Sequence, residues 1–395
     1  MFKRELFFTI LPQLQHKNAI VITGMRQVGK TTLMGHLANA WEGKYIWYDF
    51  DNPLDYLLFE NIDYKAIYED LRKAIGAGAK ERFLVCIDEI QNFPEITKII
   101  KYLIDHFGLK FIVTGSSNYY LRNLFPESLS GRKFLYILQP LSYREYLYFH
   151  DRISENELQP NLDEVIGSSD LVSSHMRKEL FSEYMQYGGF PEVAVTDNIQ
   201  TKKLILKNIF ASFFEKDIKV FSELKDIREL RNLILLLGPR NGNILDVSRL
   251  ASELGINRVK IYNYLEFLEG TFFLRLLPKF TRSIDRSVAG GKKVYFSDTG
   301  LLNLVTDTSQ GQLLETTVAN QLLNYGRVSY YNKRNTAEID FILNEEIAFE
   351  VKQKAITQDL HKLQKLTGNL NIPQSFIVSN TITSHLDRVV YPWFF

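Results

Sequence analysis

The sequence predicts an α/β protein of several domains, and three observations carry that expectation. The chain has 395 residues, more than a single hydrophobic core usually organises. Short apolar runs alternate with helix-length segments through roughly the first 150 residues and again through the last 80, the pattern of strands joined by helical crossovers. Between these stretches, helical periodicity dominates. The expected organisation is an N-terminal α/β domain over 1–150, a helical region with an acidic loop over 151–240, a winged-helix-like domain over 241–290 and a C-terminal α/β domain over 291–395.

Taken in order, 19-AIVITG-24 reads as a buried strand ending in a glycine turn, with a helix from Lys30 to about Ala40. Residues 44-KYIWYDF-50 make a second strand, followed by a Pro-containing loop and an amphipathic helix near 64–75. Residues 82-RFLVCIDE-89 make a third strand with two carboxylates at its end. A helix near 94–106 and the strand 109-LKFIVTGS-116 follow. From 153 to 171 there are five acidic residues, Glu155, Glu157, Asp163, Glu164 and Asp170, and no basic ones; with Pro160, Gly167, Ser168 and Ser169 this reads as a loop or mobile insertion. The last stretch reads as a helix over 312–324, strands over 328–332, 337–343 and 346–352, a helix over 356–367 and a strand over 375–379.

Composition excludes whole classes. With 47 Lys and Arg against 46 Asp and Glu, the chain is not a strongly basic nucleic-acid wrapper, although a local basic face remains open. The single cysteine, Cys86, cannot build a disulfide framework or a zinc cluster and fits a reducing, cytoplasmic setting. The N-terminal segment lacks the apolar core of a signal peptide. No apolar run reaches the 18 or so residues of a membrane span, so no membrane insertion is expected.

The residues 24-GMRQVGKT-31 match GxxxxGK[ST] between a predicted strand and a predicted helix. Backbone N–H groups from Gly24, Met25, Arg26, Gln27, Val28 and Gly29 can curl around phosphates, and the helix N-terminus beginning at Lys30, Thr31 and Thr32 adds a favourable field. Lys30 would reach the β and γ phosphates of ATP and Thr31 would hold Mg²⁺. Asp88, at the end of an apolar strand, would orient the Mg²⁺ shell, and Glu89 would polarise the attacking water. In 114-TGSS-117, Thr114 and Ser116 would reach the γ-phosphate or that water. Arg132 is a candidate charge sensor, acting on its own nucleotide or on that of a neighbouring subunit.

Across 23-TGMRQVGKTTL-33, 48-YDFDNP-53, 87-IDEIQNFPE-95, 112-IVTGSS-117, 131-GR-132, 140-PLSYREYL-147, 187-YGGFPEV-193, 294-VYFSDTGLLN-303, 338-EIDFI-342 and 350-EVK-352, the chain resembles the bacterial and archaeal AAA+ ATPases that carry a C-terminal DUF4143 region (the AAA_14 type). The likeness runs over nearly the whole chain, with Met25 at a loop position that varies freely. It implies a P-loop ATPase core. It also implies either ring assembly with an arginine supplied in trans, or action as a monomer or dimer.

In the middle, 245-LDVSRLASELGINRVKIYNYLEFLEG-270 fits helix–turn–helix logic. Leu250, Leu254, Ile256, Val259, Ile261 and Leu265 would pack a trihelical core, Gly255 would allow the turn, and Asn257, Arg258, Lys260 and Asn263 would face outward. Residues 271-TFFLRLLPKF-280 would add a β-wing. Residues 257–293 carry eight basic and three acidic side chains, a face for DNA phosphates or simply a packing module.

Toward the C-terminus, Glu315 lies on a helix, Asp340 on one strand and Glu350 and Lys352 two apart on the next, so the last two share a face. If that face also carries Asp340 on the adjoining strand, two carboxylates converge on one cation with a lysine beside the water, the parts of Mg²⁺-assisted phosphodiester hydrolysis. The order resembles the PD-(D/E)xK nuclease fold, which implies Glu315, Asp340 and Glu350 as metal ligands and Lys352 as the catalytic lysine. Three functions follow: an ATP-driven switch whose C-terminal modules hold DNA or a protein partner, an ATP-regulated metal-dependent nuclease, or a nucleotide-stabilised scaffold for a protein.

Overall fold

The computed structural model describes residues 2–78, 81–115, 131–159, 161–167, 171–217, 224–281, 290–333, 336–383 and 386–395. The chain divides into two compact units, Met1–Gln139 with Gly270–Phe272, and Pro140–Glu269 with Phe273–Phe395. The first unit therefore ends at Gln139, short of the expected boundary near 150. The helix Tyr143–Phe149 packs instead within the second unit, where Tyr143 accepts no solvent and its backbone N–H donates to Gln321.

The first unit is built on five parallel strands: β1 (Ala19–Thr23), β2 (Tyr45–Asp49), β3 (Leu84–Asp88), β4 (Lys110–Gly115) and β5 (Lys133–Ile137), in the order β2-β3-β4-β1-β5. β1, β3 and β4 are buried along their whole length, which is why they read as unbroken apolar runs; β2 and β5 form the edges and are partly exposed. On one side, Val21, Val85, Ile87, Phe111 and Val113 pack against Ile67 and Leu71 of the helix Tyr64–Ile75 and Ile99, Ile100 and Leu103 of the helix Ile96–Phe107. Because β4 is inserted between β1 and β3, the ends of β1, β4 and β3 lie side by side, the position at which α/β sheets hold ligands.

A strap not anticipated from sequence runs along this unit. At its start, buried Arg4 donates to the Val28 carbonyl at 2.7 Å and the Gln139 carbonyl at 2.8 Å. At its far end, Lys110 is fully buried and donates to the carbonyls of Gln13, His16 and Asn18 at 3.2, 2.9 and 2.7 Å. Burial, helped by nearby Arg82, pulls the Lys110 ammonium down to about 7.

In the second unit, the acidic stretch is not the structureless loop expected. Residues Leu162–Gly167 form a short helix and Leu171–Glu179 a longer one, with Val165 buried. Four further helices, Phe181–Tyr187, Pro191–Ala194, Ile199–Ser212 and Leu224–Leu237, lead to the helix pair Val247–Leu254 and Arg258–Gly270, followed by an antiparallel hairpin of β6 (Leu274–Leu277) and β7 (Lys293–Phe296). The helix–turn–helix is present, with Gly255 in the left-handed region as its turn. Its core differs from the expectation: Leu254 and Ile256 are only half-buried. Leu250, Ile261 and Leu265 are buried, but Val259 is 67% exposed, because the buried stripe of the second helix runs through Ile261, Tyr264, Leu265 and Leu268 and Val259 lies off it.

The glycine pair of 187-YGGFPEV-193 has a structural explanation. Asp298 is buried, caps the helix Thr299–Val305 by accepting from Leu301 at 3.1 Å, and also accepts from Gly189 at 2.7 Å. A Cβ on Gly188 would lie 2.2 Å from the same carboxylate, and Gly188 has φ +77°. The Gly189 carbonyl accepts from Leu141 at 2.6 Å, so the 140-PLS-142, 187-YGGF-190 and 297-SDTG-300 segments lock together. Burial pushes Asp298 up to about 6.

The C-terminal sheet has the order β12-β11-β10-β9-β8, from β8 (Val328–Asn332), β9 (Glu338–Leu343), β10 (Ile347–Lys352), β11 (Gln374–Ser379) and β12 (Val389–Val390). β8/β9 and β9/β10 are antiparallel. β10/β11 is parallel across the helix Thr357–Leu370, and the helix Gln310–Leu322 precedes the whole.

Asp298→Ala strands buried N–H groups and removes a helix cap. It is expected to cost about 2–4 kcal/mol and, in a unit of this size, to lower the melting temperature by roughly 5–10 °C in a calorimetric scan.

Candidate functional site

The phosphate loop lies where the sequence places it. The helix Lys30–Asn39 starts directly after Gly29, whose φ of +94° supplies the left-handed turn into it. Gly24 has φ +147°, and a Cβ there would lie 2.1 Å from the Leu138 carbonyl oxygen, so only glycine lets the loop leave β1 against the segment after β5. Lys30 is buried, and its ammonium donates to the Gly24 and Met25 carbonyls at 3.1 and 2.8 Å, over the inside of the loop. Gln27 is exposed and takes φ +62° at the loop tip. Arg4 holds the Val28 carbonyl from behind.

Asp88 joins the loop to the neighbouring strands. Its carboxylate accepts from Thr31 Oγ1 at 2.7 Å and, on the other oxygen, from Thr114 Oγ1. Thr114 Oγ1 in turn accepts the backbone N–H of Glu89 at 3.3 Å. Glu89 sits in the left-handed region at φ +53°, a conformation that costs a non-glycine residue energy and that collects at functional sites. Its carboxylate accepts from Gln91. Lys30, Thr31, Asp88, Glu89 and Thr114, distant in sequence, thus meet at the ends of β1, β3 and β4. Ser116 lies outside the described residues.

Arg132 is not brought to this site. Its backbone carbonyl accepts from Ala19 at 2.9 Å, at the beginning of β1, whereas the loop leaves from the end. Four residues of strand separate the two, roughly 13 Å. The guanidinium pairs with Asp105 at 2.6 Å. Parallel register carries it to the wrong end of the sheet, so Arg132 is no charge sensor for the nucleotide of its own chain.

The second set lies on the C-terminal sheet. Pairing between β9 and β10 is registered as far as Phe341–Phe349; at the next position the Asp340 carboxylate accepts the Val351 N–H at 2.8 Å. Glu350 accepts from Lys352 at 2.8 Å, and its other oxygen, Oε2, is buried with no hydrogen-bond partner. Glu315 accepts from the Tyr295 hydroxyl at 2.6 Å. Burial and then the Asp340 charge raise Glu315 and Glu350 above the usual carboxylate range, and burial raises Asp340. Among the described residues, however, no three His, Cys, Asp or Glu side chains are gathered as a ready metal cage. Glu315 is drawn toward Tyr295 and Lys293 rather than toward Glu350.

One group here was invisible in the sequence. Lys293, on β7, is buried and pairs with Glu338 at 2.7 Å and Glu315 at 3.7 Å. Burial pulls its ammonium down, but the charges of Glu315, Glu338 and Asp340 outweigh that and hold it above the ordinary lysine value. Nothing in the 292-KK-293 pair points to carboxylates on another sheet.

The expected basic face is reduced by such pairings. Lys260 is bound to Asp226 at 2.6 Å and Glu229 at 2.5 Å, and Lys293 is buried. Asn257, Arg258 and Asn263 are exposed as expected, beside Val259 and Tyr262. Arg282, Asp285 and Arg286 lie outside the described residues.

A strand–loop–helix phosphate cradle with an acidic pair at the end of β3, one strand removed across β4, defines a nucleotide-hydrolysing class. Residues 16–147 match an AAA domain of the AAA_14 type, and with the site geometry this match supports an ATP-hydrolysing enzyme. Residues 178–312 and 310–391 match two domains of unknown function, DUF8612 and DUF4143. The chain is similar to the uncharacterized protein MJ1544 of Methanocaldococcus jannaschii, 28% identical over 373 residues that cover 89% of this chain and 79% of that one. It is likewise similar to an uncharacterized protein of Haemophilus influenzae, 28% identical over 91% of this chain and 90% of that one. A solved Walker-type ATPase, Paby2304 of Pyrococcus abyssi, aligns at 15% identity and a TM-score of 0.49, covering 77% of this chain and 96% of that one. Among the described residues, no helix is long and apolar enough to cross a membrane.

Arg4→Ala removes a charged donor from the back of the loop. It is expected to weaken ATP binding about tenfold, the usual worth of such a bond, in a titration with a fluorescent ATP analogue, without loss of helical signal.

Proposed function

We propose that the chain hydrolyses ATP with Mg²⁺ at the first site and uses the cycle to switch its C-terminal unit on DNA or a protein partner. The observation that carries the hydrolytic step is the chain of contacts Thr31–Asp88–Thr114–Glu89, which sets two carboxylates in different roles. The glycine cradle and the buried Lys30 suit a polyphosphate, and Thr31 with Asp88 would hold Mg²⁺, which would neutralise charge developing on the transferred phosphoryl group. Met25, Arg26, Gln27, Val28, Gly29 and Thr32 line the phosphates through their backbone N–H groups. Lys30 binds and orients the β and γ phosphates. Glu89, held by the Thr114 hydroxyl and Gln91, accepts a proton from the attacking water. Arg132, paired with Asp105 at the opposite end of the sheet, takes no part at its own chain's nucleotide. Glu89→Gln is expected to lower phosphate release roughly a hundredfold while ATP still binds; equal turnover by the two proteins would remove Glu89 from the role of base.

The face of Asn257, Arg258, Val259, Tyr262 and Asn263, on a winged-helix-like module, mixes one cation with apolar and amide groups and suits a partner of either class. A second reading, metal-dependent phosphodiester cleavage on a PD-(D/E)xK nuclease-like domain, is favoured by one observation, the buried and unpartnered Glu350 Oε2 opposite Asp340. Two carboxylates, with waters filling the remaining positions, fit a hard divalent cation, and Lys352 beside them would orient a water. Incubated with linear duplex and single-stranded DNA in Mn²⁺, the protein is expected to cut, and Asp340→Asn to lose that cutting. Equal products from both would trace the activity to a contaminant.

A further inference from the structure

The C-terminal carboxylates do not meet their cation from their own sheet alone. Glu338 and Asp340 are two apart on β9 and so share a face. Glu315 comes from the preceding helix and Glu350 from β10. Four carboxylates therefore share this region with two lysines, and the two lysines differ in origin. Lys352 stands two residues from Glu350 on the same strand, whereas Lys293 reaches in from β7, the second strand of the hairpin behind the helix–turn–helix.

Three observations show how firmly that hairpin is tied in. Lys293 Nζ lies 2.7 Å from Glu338 and 3.7 Å from Glu315, on a side chain only 5% exposed. Two residues on, along the same face of β7, the Tyr295 hydroxyl donates to Glu315 at 2.6 Å. The start of the same module adds a third contact, as Asn241 donates to Thr316 Oγ1 at 2.6 Å and accepts the Phe296 N–H at 2.9 Å. A long cationic side chain is buried here because its partners are carboxylates; an ammonium of this exposure without them would not stay charged.

We propose that Lys293 is a built-in counter-cation that competes with a divalent metal ion for the carboxylates of the C-terminal site. The position of the β6–β7 hairpin would then set the metal affinity of that site. The inference rests on the metal-binding reading of Asp340 and Glu350. With Lys293 in place, four ionised carboxylates and two lysines carry a formal charge of two negatives, and a divalent ion must bind near a resident ammonium. With Lys293 withdrawn or neutralised, the group carries three, and Glu315 and Glu338 are released. A motion of the helix–turn–helix module on a partner would in this way be felt at the metal site, with no contact between partner and metal.

The test is calorimetric titration of the full-length protein with Mn²⁺ alone, without nucleotide or DNA, so that cleavage plays no part in the readout. Lys293→Met is expected to bind Mn²⁺ at least about tenfold more tightly than the parent, as removal of one nearby charge at intermediate dielectric implies. Lys293→Arg keeps the charge and is expected to stay within about threefold of the parent. Adding Asp340→Asn to either should remove the Asp340-dependent component of the signal, leaving only any binding at Thr31 and Asp88. Lys293→Gln serves as a second neutral variant should Lys293→Met lose its circular-dichroism signature. Asp340-dependent binding of equal or weaker affinity in the neutral variants overturns the role of Lys293 while leaving the metal reading intact. Absence of Asp340-dependent binding in every protein overturns the metal reading itself, and this inference with it.

Discussion

The N-terminal unit depends on where one buried carboxylate is held. Asp88 ends a strand that is apolar and buried throughout, and its two oxygens are taken by hydroxyls from two other elements, Thr31 at the start of the loop helix and Thr114 at the end of β4. A carboxylate in such a place is tolerable only when hydrogen-bonded, so the three elements are fixed relative to one another by the cost of leaving it unpaired. The strained backbone of Glu89 is held in the same way, through the Thr114 hydroxyl. Remove that shared acceptor and the phosphate loop, the acidic pair and the neighbouring strand lose their common reference.

The second unit uses the same physics in a different place. Asp298 satisfies the end of one helix and the glycine pair of another segment with a single carboxylate, and the glycines are required because any side chain at Gly188 would strike it. At the C-terminal sheet, by contrast, charge is only partly balanced. Burial and mutual repulsion push Glu315 and Glu350 upward while Lys293 and Lys352 are held above the ordinary lysine value. A fold that needed only stability would more cheaply fill such a region with apolar side chains. Retention of so many ionisable groups beside an orphaned oxygen is what directs attention there.

Strand and helix positions were legible wherever burial was complete, because a strand buried on both faces leaves an unbroken apolar run and a crossover helix leaves a periodic one. The phosphate loop was legible because its glycines, lysine and threonine act at fixed local spacing. The acidic stretch misled because composition reports solvation: Leu162–Gly167 forms a helix with a single buried residue, Val165. Val259 misled because apolar residues near a helix start do not reveal which stripe is buried.

What the sequence determined by itself, then, was the local chemistry: an α/β frame, the phosphate cradle, Asp88 with Glu89, and a helix–strand–strand order bearing Glu315, Asp340, Glu350 and Lys352. What only the tertiary structure decided was which of these groups meet. Strand order set Thr114 between Asp88 and the loop, and parallel register carried Arg132 to the opposite end of the sheet. Ion pairing withdrew Lys260 from a surface and sent Lys293 into a carboxylate cluster 22 to 57 residues further along the chain. Local spacing specifies what a side chain can do, but charge pairs form across whatever distance the packed core brings together, and that distance is not written in any single segment.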